Sequence, residues 1–178
     1  MTVDNVPAPL TGTYNFTTTG IHTIEFLLRD PTEMSTAAFN EMTNSCLVSV
    51  TIPDTVKTLA KQLFRRCYKL THITLSKNIT EITEELLNEC ESLVSLVIPD
   101  GVTSIGKHSL NHCYALTSLT IPSSVTYIGP YSLYRTESLS AIDFKGTKAQ
   151  WNSISKRGSW CIGSKLSTIH CSDGDISL

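Results

Sequence analysis

Apolar residues return at a fixed interval of 23 positions along most of the chain. One such column contains Ile52, Leu75, Ile98, Ile121 and Phe144. Two columns precede it by two and by five positions, namely Val50, Ile73, Leu96, Leu119 and Ile142, and Leu47, Leu70, Leu93, Leu116 and Leu139. A unit this short cannot bury its own apolar residues, whereas stacked units bury each column as a continuous ladder. The pattern therefore predicts a solenoid.

Each unit begins with a short stretch in which inward and outward residues alternate, which predicts one parallel strand per turn. The predicted strands are 48–52, 72–75, 95–98, 118–121, 141–144 and 168–171. Pro53, Pro99 and Pro122 end three of them, because proline cannot donate a ladder hydrogen bond. We also predict one or two helical turns on the opposite side of each unit, at 60–66, 84–89, 107–112 and 130–135. Gly106 and Gly129 would ease the bend before two of these segments.

The N-terminal end needs a cap, since the first turn of a solenoid would otherwise expose its core. Residues 13–16 and 21–26 both alternate, and Gly20 lies just before the second stretch, which predicts an antiparallel hairpin. The predicted organisation is a linker or flexible start at 1–12, a β-hairpin cap at 13–36, repeats at 37–144, and a C-terminal cap and tail at 145–178.

The C-terminal end has its own candidate cap. Residues 147–155 are a short helix candidate, with Trp151 and Ile154 as apolar contacts. Trp160 and Ile162 are expected to seal the last turn. The tail beyond residue 173 is expected to be mobile, as chain ends often are.

The repeated unit resembles a known family. From Leu93 to Cys113 it reads L-x-x-L-x-I-P-x-x-V-x-x-I-G-x-x-x-L-x-x-C, which looks like the BspA-type, or Treponema pallidum-type, leucine-rich repeat of bacterial surface proteins. Residues 20–26 are similar to a start seen in gut Bacteroides members, and 146–151 with 169–174 to the usual end. Departures include Ser76 for proline and Thr136 for cysteine. The resemblance implies an α/β repeat solenoid, a right-handed superhelix with one parallel sheet, from a Bacteroides-like gut bacterium.

Composition and charge exclude several classes of function. The 178 residues are 40% hydrophobic and 17% charged, with a formal net charge of −2. Such a chain has no electrostatic basis for binding nucleic acid or anionic lipid. It contains no apolar run that could span a membrane, no signal-peptide pattern at its start and no glycine-rich nucleotide motif. We expect a non-enzymatic protein with no cofactor.

The cysteines are the first candidates for chemistry. Cys67, Cys90 and Cys113 share one repeat column, so they would stack at about one strand spacing, ~4.8 Å. That distance alone would allow a metal or a disulfide, but thiols in a core column pack as small hydrophobic groups, and we favour packing. Cys161 and Cys171 are the pair most suited to a disulfide.

The histidines offer a weaker signal. His108 and His112 are four residues apart and could share one face of a helical turn, but no third zinc ligand lies beside them. His72 and His170 fall on outward positions of strands. They are expected to be surface groups, because no nucleophile and orienting carboxylate accompany them in sequence. No metal site is predicted.

The outward positions of the strands form the candidate binding face. The residues that we assign to it are Glu25, Thr51, His72, Thr74, Ser95, Val97, Ser118, Thr120, Asp143 and His170. The face is rich in hydroxyl groups. Two interpretations are open, namely a contact surface for a protein or glycan, and a polar face that only prevents strand aggregation.

The resemblance implies a surface protein that binds matrix proteins or other bacteria. The function hypothesis is an adhesion-type interaction module, extracellular or at the cell surface, that binds a host or microbial protein or glycan through the concave sheet face. We expect that its export signal is not part of this sequence. The alternative is a structural spacer that presents another domain of a longer protein. Fold resemblance does not identify a ligand.

Overall fold

The computed structural model describes Thr32 and residues 47–178, together with the backbone of four two-residue strands before residue 35. The chain divides into two units, Met1–Pro31 and Thr32–Leu178. In the first unit, strand β1 (Thr2–Val3) pairs antiparallel with both β2 (Val6–Pro7) and β3 (Ile24–Glu25).

The described strands of the N-terminal region differ from the expected hairpin. Strands β1 and β2 lie in the stretch predicted to be a linker, and β3 lies within the predicted strand 21–26 but pairs with β1. The predicted partner, 13–16, lies outside the described residues. Strand β4 (Glu33–Met34) belongs to the second unit, where it pairs in parallel with β6 (Thr58–Leu59). The exact limits of the cap and repeats stay predictions.

Six parallel strands, one per turn, form what we call the long sheet. They are β5 (Ser49–Thr51), β7 (His72–Thr74), β9 (Ser95–Val97), β11 (Ser118–Ile121), β13 (Ala141–Phe144) and β15 (Thr168–Cys171). Strand β5 pairs with β7, and β9, β11, β13 and β15 pair in that order. Strand β7 lies beside β9, where the Val94 amide donates to the Thr71 carbonyl at 3.1 Å. The predicted strands are confirmed, and so is the 23-residue register of the repeats, such as Leu96 beside Leu119; the last strand pairs at an interval of 27 residues, as in Ala141 beside Thr168.

A second, narrower parallel sheet was not predicted. It contains β8 (Glu81–Ile82), β10 (Ser104–Ile105), β12 (Tyr127–Ile128) and β14 (Ser155–Lys156). Each strand has two residues, so only one apolar position per turn marks it, and alternation over two residues is too short to be recognised. The buried isoleucines of this sheet and the inward residues of the long sheet form the core, in which Leu96 is 1% exposed.

The segments predicted to be helical are extended turns instead, so that prediction was wrong. Each has two non-glycine residues with φ between 52° and 61°, repeated every 23 positions: Gln62, Arg66, Glu85, Glu89, His108, His112, Tyr131 and Arg135. Alternate amides donate to carbonyls of the next turn. The first segment shows the pattern, with Gln62 donating to Glu84 at 3.0 Å and Arg66 to Asn88 at 2.8 Å. We call this arrangement the turn ladder.

Backbone hydrogen bonding explains the turn ladder. A helix of six or seven residues needs a cap or tertiary contacts to offset its nucleation. Stacking offers the same amides a partner on the neighbouring turn, and buried amides need one. The left-handed residues direct alternate peptide groups along the solenoid axis, where those partners lie.

Gly106 has a different role from the one predicted. Its φ angle is not positive, so glycine is not needed there for a left-handed backbone. A Cβ atom at this position would lie 2.7 Å from the Glu84 amide nitrogen and 2.9 Å from the Ile82 carbonyl oxygen. The Gly106 amide donates to that same carbonyl at 2.7 Å. Glycine is therefore needed for close approach of two backbones.

The C-terminal cap begins with helix α1 (Lys148–Ser153), which confirms the predicted helix. The Thr147 hydroxyl accepts from the Gln150 amide, and the Gln150 side chain accepts from the Thr147 amide at 2.8 Å, forming a capping box. Trp151 is 2% exposed and Ile154 5% exposed, so both are apolar contacts as predicted. Among the described residues, no helix is long and apolar enough to cross a membrane.

Trp160 and Ile162 cover the last turn mainly through their backbones. Their carbonyls accept from the amides of Leu133 and Arg135, at 2.7 and 3.1 Å, and so continue the turn ladder. The Trp160 ring contacts that of Trp151. The Ile162 side chain is exposed, so its predicted sealing role was wrong.

The tail beyond residue 173 is a strand, which corrects the prediction of a mobile end. Strand β16 (Gly174–Ser177) pairs antiparallel with β15 at the end of the long sheet. Gly174 has a φ of 114°, which suits the tight turn between the two strands. Asp173 accepts from the Lys148 amide at 2.8 Å and ties this turn to helix α1.

Candidate interaction surface

The outward side chains of the long sheet form the surface predicted from sequence, which we call the sheet face. Neighbouring strands pair Thr51 with Thr74, Ser95 with Ser118, Val97 with Thr120, and Asp143 with His170, and His72 lies beside Ser49. All of these residues are exposed or half-buried. Glu25 lies in the first unit, and its side chain is outside the described part of the chain.

Five hydroxyl groups of the sheet face form no hydrogen bond within residues 47–178. Within residues 47–178, no hydrogen-bond partner is found for the side chains of Thr51, Thr74, Ser95, Ser118 and Thr120. In the neighbouring column, by contrast, threonine hydroxyls do form hydrogen bonds. The Thr71 hydroxyl donates to the Val48 carbonyl at 3.0 Å, and that of Thr117 to the Val94 carbonyl at 3.2 Å. The sheet face therefore keeps its hydroxyls available to water or a ligand.

An open groove of about 770 Å³ lies at one border of the sheet face. It is lined by Lys77, Val97, Ile98, Pro99, Asp100, Thr120 and Lys145. The Val97 side chain is 65% exposed and offers an apolar contact. Lys77 forms an exposed salt bridge with Asp54 at 3.4 Å. The groove thus combines an apolar group, a hydroxyl and charged groups.

The C-terminal border of the sheet face is charged. The ring Nδ1 of His170 lies 2.9 Å from an Asp175 carboxylate oxygen. This hydrogen bond is the main cause that raises the pKa of His170, and the charge of Asp143 adds to it. In the described part of the chain, no cluster of three potential ligands could hold a metal ion.

The cysteine column belongs to the core. Cys67, Cys90 and Cys113 are fully buried, and the thiols of Cys90 and Cys113 donate to carbonyls of the preceding turn. Burial raises the pKa of Cys67 to about 11 and that of Cys113 to about 12. These thiols stay protonated at neutral pH, so they are neither nucleophiles nor ready metal ligands.

The disulfide considered for Cys161 and Cys171 is not formed, because both residues are free thiols. Cys161 lies in a turn, where its carbonyl accepts from the Ser164 amide, and Cys171 ends strand β15 opposite Gly174. The two side chains are held by different local structures. Of the cysteines within residues 47–178, three therefore belong to the core and two are separate free thiols.

Sequence reasoning missed a group of aromatic rings on the outer side of the turn ladder. We call this group the aromatic patch, and it consists of His108, His112, Tyr114, Tyr131 and Tyr134. The rings of His108 and Tyr131 stack at 5.2 Å, with 9° between their planes. Tyr134 contacts Tyr131 at 5.8 Å and His112 at 5.4 Å, both edge to face. His112 also meets Tyr114, at 5.5 Å.

His108 and His112 therefore do not share a helical face, as had been considered. Each has a left-handed backbone, and each contacts a tyrosine of the next turn. The Asn111 side-chain amide lies 3.3 Å from the His108 Nδ1. Burial, and then the charge of Lys107, lower the pKa of His108 and so favour its neutral ring. The signal for the patch was the 23-residue spacing of His108 and Tyr131.

Comparison with known proteins agrees with the repeat architecture. Residues 32–156 match the family described as BspA type leucine rich repeat region, in six copies. A comparison with curated proteins gives no match.

Two solved structures are similar to this chain. One is a leucine rich cell surface protein from Faecalibacterium prausnitzii A2-165, with 36% sequence identity and a TM-score of 0.64, over 70% of this chain and 32% of that protein. The other is the T. pallidum leucine rich repeat protein, with 24% identity and a TM-score of 0.59, over 71% of this chain and 62% of that protein. The second likeness shows the fold alone. In both cases, the match spans less than two thirds of the other protein.

The family match covers more than half of the chain, and its limits enclose the strands and turns that repeat every 23 residues. The buried columns, including Cys67, Cys90 and Cys113, lie where the repeat pattern requires them. The chain belongs to the BspA-type leucine-rich-repeat family.

Proposed function

We propose that this chain is a non-enzymatic recognition module at a bacterial cell surface, and that its sheet face binds a protein or glycan. The observation that carries the proposal is the set of exposed hydroxyls on this face that have no partner within residues 47–178. A cell-surface location is supported by the similar Faecalibacterium protein, which is described as a cell surface protein.

The geometry of the sheet face suits recognition. Its hydroxyls repeat at the strand spacing of about 4.8 Å, on a backbone that the ladder hydrogen bonds hold rigid. A rigid surface loses little conformational freedom when it binds a ligand. The exposed Val97 side chain adds an apolar contact among the polar groups. Stacked repeats commonly use such extended surfaces for binding.

The histidine chemistry of the sheet face supports a non-enzymatic role. The His72 Nδ1 lies 2.8 Å from the Thr71 hydroxyl, a contact that resembles a base beside a nucleophile. That hydroxyl already donates its proton to the Val48 carbonyl at 3.0 Å. The His72 ring nitrogen then acts as the donor, so it does not activate Thr71.

Binding to an array of purified matrix proteins and glycans tests the proposal. The test variant carries Thr74→Lys and Thr120→Lys, which place two bulky cations on the sheet face and leave the core intact. The matched control carries Thr80→Lys and Ser138→Lys, since both residues are exposed and lie outside this face. Thermal unfolding of all three proteins checks that each is folded.

Saturable binding that the test variant loses and the control keeps would support the sheet face as the recognition surface. Binding that survives in both variants would place recognition elsewhere. The absence of any binding would favour the spacer role. The chain matches only 32% of the Faecalibacterium protein, so the fold does occur as part of a longer chain.

A further inference from the structure

The side chains on the outer side of the turn ladder change in type from one end of the solenoid to the other. In its first two segments, the cations are paired with carboxylates of the next turn. Lys61 contacts Glu84 at 3.0 Å, and Arg66 contacts Glu89 at 3.2 Å. Arg65 and Glu85 form a further pair at 3.3 Å. This part of the surface is therefore neutralised within the fold.

The same columns carry rings and unpaired cations in the next two segments. The aromatic patch replaces the carboxylates, and Lys107 and Arg135 lie at its border. Within residues 47–178, neither cation has a carboxylate within salt-bridge distance. The Arg135 guanidinium lies over the Tyr134 ring, 5.8 Å from its centroid. Both cations are exposed, and Glu84 and Glu137 act on Lys107 and Arg135, respectively, only from beyond salt-bridge distance, so the fold neutralises their charge only in part.

The rings are held in place before any partner arrives. The contacts among His108, Tyr131, Tyr134 and His112 form a continuous chain across two turns. Tyrosine has few rotatable bonds, and ring contacts restrict them further, so little side-chain entropy is lost on binding. Tyr131 remains 40% exposed. Rigid, partly exposed tyrosine beside arginine is the composition of energetic hot spots in protein interfaces.

Buried polar atoms in and beside the aromatic patch lack hydrogen-bond partners. Asn111 is 8% exposed, and its side-chain oxygen has no hydrogen-bond partner. The ring Nδ1 of His112 is also buried without a partner. Buried polar groups are normally paired, and exceptions are concentrated where a fold serves something other than its own stability. The Asn88 oxygen, one repeat earlier in the ion-paired segment, also lacks a partner, so the His112 nitrogen is the atom that sets this part of the surface apart.

We propose that the aromatic patch, with Lys107 and Arg135, is a second binding surface that takes an acidic segment of a protein partner. Exposed cations without a salt bridge attract an anionic ligand, and a planar guanidinium matches a carboxylate through two hydrogen bonds. A protein fits better than a glycan, because sugars stack on ring faces, and His108 and Tyr131 already cover one face of each other's ring. This surface lies on the turn ladder, separate from the sheet face.

Peptide selection provides the test. Random peptides displayed on phage are selected against the immobilised chain, and the enriched peptides are synthesised with a fluorescent label. Each is paired with a copy in which Asp and Glu are replaced by Asn and Gln. The test variant carries Lys107→Gln and Arg135→Gln. The matched control carries Lys61→Gln and Arg66→Gln, which change the same two repeat columns and the same net charge in the ion-paired segments.

We expect enriched peptides to be acidic, and their amide copies and the test variant to bind about tenfold more weakly, which corresponds to losing a charged hydrogen bond. The control and the Thr74→Lys, Thr120→Lys variant should bind normally. Tyr131→Ala should weaken binding too, and thermal unfolding checks that each variant is folded. Peptides without acidic enrichment, equal binding by the test variant and control, no selected peptide, or binding only to sulfated glycans would each overturn the proposal.

Discussion

Replacing either of two buried serines in the turn ladder should increase the stability of the protein. The repeat column that contains Leu63 and Leu86 continues with Ser109 and Ser132. All four residues are at most 1% exposed. The hydroxyl oxygens of Ser109 and Ser132 have no hydrogen-bond partner. We therefore expect Ser109→Ala to stabilise the protein.

The expected size follows from the burial of that hydroxyl. Burying a hydroxyl without a hydrogen bond costs about 1–3 kcal/mol in proteins. Alanine keeps the Cβ atom and removes only the oxygen, so the cavity that it leaves is small. We expect a gain of about 1–2 kcal/mol in the free energy of unfolding. For a protein of this size, each kcal/mol raises the melting temperature by about 2–4 °C.

Ser76→Ala is the matched control, since Ser76 is also fully buried. Its hydroxyl donates to the Val56 carbonyl and accepts from the Asn78 amide at 3.1 Å. The same substitution there should lower the free energy of unfolding by about 1–2 kcal/mol, because it leaves buried groups without partners. One chemical change should thus have opposite effects at two equally buried sites.

Urea unfolding followed by circular dichroism measures both variants. The slopes of the transitions should match that of the wild type, so that the midpoints report stability alone. A loss of stability in Ser109→Ala as large as that in Ser76→Ala would refute the reasoning. It would mean that the Ser109 hydroxyl has a partner, such as an ordered buried water.

Four further predictions follow from the fold. Leu96→Asp should cost several kcal/mol, because it buries an unpaired charge in the core, and an unchanged melting temperature would refute the ladder assignment. Gln62→Gly should stabilise by about 0.5–1 kcal/mol in urea unfolding, since left-handed strain of about 1–2 kcal/mol exceeds the added entropy of an unfolded glycine. Gly106→Ala should cost about 1–3 kcal/mol, because its Cβ would overlap the backbone of the preceding turn, and a neutral effect would contradict that contact. In an NMR titration, the pKa of His170 should lie above 6.5, and Asp175→Asn should lower it towards that value; equal values in both proteins would exclude the hydrogen bond as its cause.

The strands of the long sheet could be predicted because their inward residues are apolar and recur at a constant spacing. Leu96 and Leu119 are 23 residues apart and become register partners, so one sequence interval gives both strand and pairing. The turn ladder could not be predicted in the same way. A segment such as 84–89 has apolar spacing that also suits a short helix, and only the carbonyls of the next turn decide between the two. That information lies outside the segment itself.

The two candidate surfaces differed in how far the sequence reveals them. Alternation within one strand placed Thr74 and Thr120 on the outside of the sheet, which their exposed or half-buried positions bear out, while their role in binding stays a proposal. The aromatic patch depends on contacts between turns. Treating His108 and His112 as one helical face concealed that His108 stacks on Tyr131. A comparison of the exposed residues at equivalent positions of each repeat would have revealed the aromatic patch.

In a solenoid, the columns that stay constant build the fold, so functional information lies in the columns that change. Two buried departures from the pattern, Ser109 and Ser132, occur beside the aromatic patch, whereas the hydroxyl of a third, Ser76, has hydrogen-bond partners elsewhere in the fold. Ser109 follows His108 in the chain, and Ser132 follows Tyr131, and both serines bury a hydroxyl that the fold leaves without a partner. Natural proteins commonly break local rules of stability at functional sites. The coincidence of unpartnered serines, stacked rings and unpaired cations in the same two turns is therefore the strongest argument that this part of the turn ladder has been shaped for binding.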